Sequence, residues 1–301
     1  MKILCAVDGS EFSRWAIEAV GAFERSALSS VTLLHVVDTR HLKAVGAPHV
    51  ATYRGVKAAL EKSGEEVLRR AIGHAEAALS QSAVRPRTAV RSLLLHGSPA
   101  ATIAQRATQE RSDLIVLGTR GLSDIKGFLL GSIARKVASL AACPILVVKQ
   151  PIKRLRRVLL AVDDSKHSRK AARFLRAGLL PEAVDVRILS SVESPLTELA
   201  GAYISESDRK AILRPAVERA EHLVAEMRED FLKEGYAVST DIQQNHVVDH
   251  VLKTAKTGLA DLLVVGARGL SGQERLQLGS VSESLLRHAP CSILIVRGAR
   301  A

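Results

Sequence analysis

The sequence predicts an α/β protein made twice over, as two tandem domains that each hold a parallel sheet flanked by helices. Three observations predict it. Short apolar runs of strand length alternate with longer helical stretches, and strands separated by helices need crossover connections. The pattern then repeats from residue 157: Val158-Leu-Leu-Ala-Val-Asp163 answers Ile3-Leu-Cys-Ala-Val-Asp8, and Cys291-Ser-Ile-Leu-Ile-Val296 answers Cys143-Pro-Ile-Leu-Val-Val148. Finally, one glycine pattern, G-x-x-G-x9-G-S, occurs once in each half, at Gly118, Gly121, Gly131 and Ser132 and at Gly266, Gly269, Gly279 and Ser280. The expected domains are residues 1–150 and 151–301, joined through Gln150-Pro-Ile-Lys-Arg154.

In chain order, Lys2–Val7 is the first strand, and Asp8-Gly-Ser10 turns into a helix over Phe12–Ser26 with Trp15, Ile17 and Val20 on its apolar side. Val31–Val37 is the second strand. A loop holding Gly46 and Pro48 leads to a long helix over Val56–Ser80, and Thr88–Leu95 is the third strand. His96-Gly-Ser-Pro99 opens a helix with Ser98 as N-cap and Pro99 in the first turn. Asp113-Leu-Ile-Val-Leu117 is a buried strand, followed by the glycine loop, a helix over Ile133–Leu140, and the strand Pro144–Val148. That makes five strands per half.

Composition narrows the function classes. The 301 residues are long enough for two ordinary domains, and 47% hydrophobic with 3% aromatic suits Val/Ile/Leu/Ala cores. No apolar run is long enough to cross a bilayer, and the opening MKILCAVDGS is too short in its apolar part for a signal peptide. Cys5, Cys143 and Cys291 are odd in number and far apart, which argues against a disulfide framework and for a reducing cytoplasm, and Cys143 and Cys291 read as small buried hydrophobes. The net charge of +12 is spread along the chain without aromatic interleaving or a zinc-finger or RNP-type pattern. It favours polyanionic ligands and gives no ground for sequence-specific nucleic-acid binding.

The glycine pattern carries the chemistry. It lies between a strand and a helix, where glycines let backbone N–H groups approach a ligand and the helix N-terminus adds unpaired donors and positive dipole. That suits a phosphate chain, although a serine in that place also serves as a simple N-cap. Arg120 and Arg268 recur inside the first turn of each loop. A lysine-bearing G-x-x-x-x-G-K-[ST] loop is absent, which argues against a motor or kinase-like ATPase. His246 and His250, four apart with Asp249 between them, have metal-ligand spacing but no third ligand, and are expected to face solvent.

Taken in order, the AVDGS opening, LLHVVD at the second strand, HGSP before the third helix and DLIVLGTRG with its x9-GS sequel resemble the universal stress protein family. The resemblance covers nearly the whole chain as a tandem pair. It implies two doubly wound domains, each a five-stranded parallel sheet in the order 3-2-1-4-5, with a ligand crevice where strands one and four lie side by side. Similarity to the ATP-binding branch implies that Gly118, Gly121, Gly131 and Ser132 meet phosphates while Asp8 and Val36 meet ribose and adenine. In the second half Gly266, Gly269, Gly279 and Ser280 take the phosphates and Asp163 the nucleoside. ATP, or ADP or AMP, with Mg²⁺ in company, is the implied ligand, and a regulatory role in stress response the implied function. Asp8 and Asp163 have a plainer reading as N-caps of the first helix.

The second half departs from this pattern. Ser191 stands where Val36 does, Asn245-His-Val247 replaces Gly97-Ser-Pro99, and Glu274 stands opposite Lys126. The first site is therefore expected to bind more tightly. Ser132 and Ser280 could accept phosphate, yet no general base lies near them in sequence, so an ATP hydrolase or phosphotransferase is the rival reading. A nucleotide-independent interaction module is a third, and the intact glycines speak against it. Family members commonly pair their last strands between subunits, which implies that Pro144–Val148 and Ser292–Val296 pair within this chain as a pseudo-dimer, with a protein partner or homodimer beyond it.

Overall fold

A computed structural model describes residues 1–39, 50–80, 88–121, 130–194, 204–269 and 278–297. The chain divides into two compact units, the first spanning Met1–Arg154 and the second Leu155–Val296.

In the first unit the strands are β1 (Lys2–Ala6), β2 (Ser30–Val37), β3 (Ala89–His96), β4 (Leu114–Gly118) and β5 (Ile145–Val148). The helices are α1 (Glu11–Gly21), α2 (Val50–Ser80), α3 (Pro99–Gln109) and α4 (Ser132–Leu140). Parallel pairs join β1 to β2 and β4, β2 to β3, and β4 to β5, giving the order 3-2-1-4-5. The apolar runs explain which strands are central. Ile3, Leu4 and Cys5 of β1 and Leu114, Ile115 and Val116 of β4 are buried, as strands covered on both faces by crossover helices must be. At the edge, no residue of β3 is buried; all are exposed or half-buried.

The second unit repeats the arrangement with β6 (Arg157–Val162), α5 (Lys166–Arg176), β7 (Asp185–Ser191), α6 (Glu206–Lys233), β8 (Ala237–Gln243), α7 (Val247–Thr257), β9 (Leu262–Gly266), α8 (Ser280–His288) and β10 (Ser292–Val296). Here β6 pairs with β7 and β9, β7 with β8, and β9 with β10, all parallel. The strand order of the first unit is thus reproduced.

Local chemistry sets the element ends. The helix expected over Phe12–Ser26 runs only Glu11–Gly21 and is followed by a short 3₁₀ turn at Arg25–Ala27. Its start is fixed by Ser10, whose hydroxyl accepts from the Ser13 N–H at 3.2 Å, and Ser165 does the same for Ser168. Near its end a Cβ on Gly21 would lie 2.7 Å from the Ala78 carbonyl, so α1 and α2 cross in backbone contact. The long helix begins at Val50 rather than Val56. The aspartate before each fourth strand acts as a clasp. Asp113 accepts from the Lys2 N–H at 2.7 Å, and Asp261 accepts from the N–H groups of Arg156 and Arg157 at 2.9 Å.

Glu110, at the C-cap of α3, ties that helix to the exposed edge of the first sheet. It accepts from Thr32 Oγ1 (3.0 Å), Arg106 Nε (2.6 Å) and Arg91 (2.7 Å). Burial opposes its ionisation, but the hydrogen bonds from Arg106 and Thr32 and the nearby Arg91 charge outweigh it and hold the carboxyl below its usual range. A depressed carboxyl contributes stability that is present above the unfolded value, near 4.3, and is lost as pH falls through the lower folded value. Glu110→Gln is therefore expected to lower stability at neutral pH and to flatten the acid limb of the wild-type curve. Equilibrium urea unfolding of both proteins across that pH range measures this, and parallel curves would remove Glu110 from the acid sensitivity.

Candidate functional site

The order 3-2-1-4-5 sets β1 beside β4, so the turns leaving these strands open on a shared crevice at their carboxyl ends. In the first unit this is an open cleft, lined at one end by Leu34, Val36 and Ile103 and at the other by Asp8, Gly118, Arg120 and Gly121. The second unit has a cleft in the same place, lined by Leu189, Ser191 and Val251 and by Asp163, Gly266, Arg268 and Gly269. Gly131 and Gly279 stand at the N-caps of α4 and α8, with Ser132 and Ser280 as the exposed first helical residues. The next residues, Ile133 and Val281, line the clefts.

The described loop glycines fall into three groups, and packing requires glycine in two of them. A Cβ on Gly118 would lie 2.6–2.8 Å from the Cβ, C and O atoms of Phe12, and one on Gly266 2.8–2.9 Å from His167 and the Ser168 N, so these two let the first helix of each unit sit directly on the fourth strand. At Gly121 and Gly269 a Cβ would meet the carboxylates of Asp8 and Asp163 at 2.5 and 2.7 Å. Gly279 is different: its nearest neighbour would be the Arg268 Cα at 3.4 Å, an ordinary contact. The protein's own packing does not require glycine there.

The loop donors are also more restricted than the spacing alone suggests. The Gly131 N–H donates to the Thr119 carbonyl at 2.8 Å and the Gly279 N–H to Ala267 at 2.9 Å, pinching each loop at its base. The first helical bond of α4 runs from the Arg135 N–H to the Gly131 carbonyl. The N–H groups of Ser132, Ile133 and Ala134 therefore lie ahead of the helical ladder, as in any first turn. In the same cleft the Arg120 guanidinium lies 5.2 Å over the Phe12 ring. Its buried Nε has no hydrogen-bond acceptor among the described residues.

Each aspartate sits between a turn and its glycine. Asp8 Oδ1 accepts from the Ser10 N–H at 2.9 Å, and Asp163 Oδ1 from the Ser165 N–H at 3.2 Å and the Ser165 hydroxyl at 2.5 Å. The N-caps are Ser10 and Ser165, so the aspartates shape the turn without capping the helix themselves.

Sequence patterning missed one cluster. His250 was expected to face solvent; it is buried, with its Nδ1 2.7 Å from Ser191 Oγ and its Nε2 3.4 Å from Asp241 Oδ2. Asp241 in turn accepts from Arg187 at 2.6 Å. His246 is exposed beside Glu193 and Asp249. Among the described residues no group of three or more His, Cys, Asp or Glu is placed to hold a metal ion. Cys5 is fully buried and its thiol is pushed up to about 12, while burial first of all pushes half-buried Cys143 up to about 11. Neither is a thiolate at neutral pH. Lys126 and Glu274 lie outside the described residues.

The sequence profile of the universal stress protein family matches this chain twice, at residues 1–149 and 154–297. The chain belongs to the universal stress protein family. A universal stress protein of Methanocaldococcus jannaschii is 33% identical over 152 residues, which are 50% of this chain and 84% of that protein. One from Thermus aquaticus is 33% identical over 148 residues, 49% of this chain and 97% of its own. Among solved structures, a universal stress protein from Archaeoglobus fulgidus aligns over 98% of both chains with a TM-score of 0.67 and 22% identity, a likeness of fold. The single-domain relatives thus each match about half of this tandem universal stress protein. No helix among its described residues is long and apolar enough to cross a membrane.

Proposed function

We propose that each universal stress domain binds an adenine nucleotide, ATP or its di- or monophosphate, as a regulatory ligand in a cytoplasmic stress response. One observation carries this reading most: the first cleft is apolar at its β2 and α3 end and, at its glycine end, holds a buried arginine Nε with no acceptor among the described residues, beside a helix first turn. Such a cleft fits a ligand with a flat apolar body and an anionic tail. Leu34, Val36 and Ile103 would flank the base. Asp8, acceptor-only when ionised, would take hydrogen bonds from ribose hydroxyls. Arg120, Gly121 and the first turn of α4 with Gly131 and Ser132 would take the phosphates. The second domain offers Asp163, Gly266, Arg268, Gly269, Gly279 and Ser280 in the same places. The bound triphosphate would bring Mg²⁺ as its counter-ion.

Arg120→Ala tests the polarity of the site. Losing one charge-assisted hydrogen bond of about 1.5–3 kcal/mol lowers affinity roughly ten- to a hundredfold. The loss is expected for ATP and to be much smaller for adenosine, because Arg120 would meet only the phosphates. Titration of both ligands into a Gly279→Val background isolates the first cleft, and equal losses for ATP and adenosine would place Arg120 elsewhere. Steady-state ATP turnover on the same preparation separates a regulatory ligand from a substrate.

A further inference from the structure

The first helices of the two domains, α1 and α5, start at equivalent places, N-capped by Ser10 and Ser165. Counted from these caps, their buried faces match: Ser13, Ala16 and Val20 answer Ser168, Ala171 and Leu175. Their outer faces do not. Positions one, five and eight of a helix share one stripe. On α1 these are Glu11, Trp15 and Glu18, and on α5 they are Lys166, Lys170 and Arg173. The charge is reversed at both ends of the stripe, and a lysine stands where the first domain has tryptophan.

The charges of neither stripe are used up within their own domain. On α5 the arginines outside the stripe are taken: Arg169 pairs with Asp164 at 2.9 Å and Glu226 at 3.0 Å, and Arg176 with Asp230 at 2.5 Å and Glu234 at 2.8 Å. Lys166 and Arg173 are exposed and Lys170 half-buried, and none of the three has an acidic partner among the described residues. On α1, Glu11 and Glu18 meet only Arg14 of their own helix, at 3.3 and 3.8 Å. Exposed pairs of this kind are worth little, and two carboxylates sharing one guanidinium leave the stripe negative. Trp15 between them is the chain's one tryptophan, half-buried with Phe12 edge-on at 4.8 Å. An aromatic anchor with charged neighbours is what protein interfaces are enriched in.

We propose that the two stripes are the complementary halves of a self-association surface. The α1 helix of one chain docks on α5 of a second copy, and the reciprocal contact forms about a twofold axis. The occupant is a second copy because this chain itself carries the matching charges at the equivalent positions of its other domain. Each stripe is charged alike at both ends, so Glu11 and Glu18 meet Lys166 and Arg173 in either helix direction. Lys170 then lies over the Trp15 indole, a cation–π contact. Such a dimer uses both stripes of both chains and leaves none for further growth. A patch of two helical turns makes it weak and salt-sensitive.

Sedimentation velocity of the full chain at low salt, from micromolar to near-millimolar concentration, tests this, and Trp15 emission should follow the same equilibrium. Two charge reversals are compared: Lys166→Glu with Lys170→Glu and Arg173→Glu on α5, and Glu11→Lys with Glu18→Lys on α1. Each protein alone should dimerise at least about tenfold more weakly than the unaltered chain, since like charges then face each other. An equimolar mixture of the two should recover dimerisation to within roughly threefold, because the acidic α5 of one meets the basic α1 of the other. Mixing does not rescue a misfolded chain, so recovery reads the interface itself. An unaltered chain that stays monomeric over this range would overturn the proposal. So would reversals that leave the association unchanged, or a mixture that stays as weak as its components.

Discussion

Gly279→Val is expected to abolish nucleotide binding at the second cleft while leaving the fold nearly intact, whereas Gly266→Val disrupts both. The two residues share one motif but differ in what surrounds them. At Gly279 an added Cβ stays 3.4 Å from the nearest protein atom. Its backbone angles (φ −68°, ψ 156°) suit any residue. The change costs about 1 kcal/mol for a poorer N-cap, a shift of about 2–4 °C in melting temperature for a unit of this size. The branched valine side chain would occupy the approach to the first turn of α8, and affinity there should fall tenfold for each 1.4 kcal/mol lost. At Gly266 the Cβ would lie 2.8 Å from the His167 carbonyl carbon and the Ser168 nitrogen. Backbone on both sides must move, at about 1–3 kcal/mol or more. Thermal unfolding and ATP titration of both variants measure this. A Gly279→Val protein that melts like Gly266→Val would show that the loop glycine serves packing instead of a ligand.

Phe231→Ala is expected to give the largest loss of stability, confined to the second domain. Phe231 is fully buried near the end of α6 and stacks edge-on against Tyr236 at 5.9 Å, while the Tyr236 hydroxyl donates to the Leu180 carbonyl at 3.2 Å. Removing the ring costs about 3–5 kcal/mol, or roughly 10 °C in melting temperature. Because α6 packs on β7 and β8, which carry Ser191 and Asp241, binding at the second cleft should weaken too. Two domains need not unfold in one step, so calorimetry should show the shift in one transition. An unchanged unfolding profile would contradict the packing described for α6.

Much of this fold was legible because its strands are buried on both faces. Ile3 to Ala6 and Leu114 to Leu117 can hardly be anything but central parallel strands, and the repeat doubled every such signal. Helix ends were read less well, since α1 stops where Gly21 meets the backbone of α2, a tertiary contact that spacing cannot express. The glycine motif lies between strand and helix in both halves, as its spacing implied, but it merged separate causes, with Gly118 and Gly266 serving helix packing and Gly121 and Gly269 making room for the aspartates. Asp113 was read as the first residue of a buried strand, but the strand begins at Leu114 and the aspartate clasps the Lys2 N–H, a tertiary contact that patterning does not express. His250 was misplaced because four-residue spacing says which side chains share a helix face and not what that face covers. The available signal was Ser191 and Asp241, two polar residues at inward positions of neighbouring strands that needed a buried partner.

The central claim is that the clefts at the carboxyl ends of β1 and β4, and of β6 and β9, are adenine nucleotide sites. Calorimetric titration of the full chain with ATP tests it most directly, alongside the Gly131→Val, Gly279→Val double variant. The unaltered chain is expected to bind ATP saturably at micromolar to millimolar concentrations, and the double variant not at all although it remains folded. No binding by the unaltered chain across that range, or equal binding by the double variant, would contradict the claim.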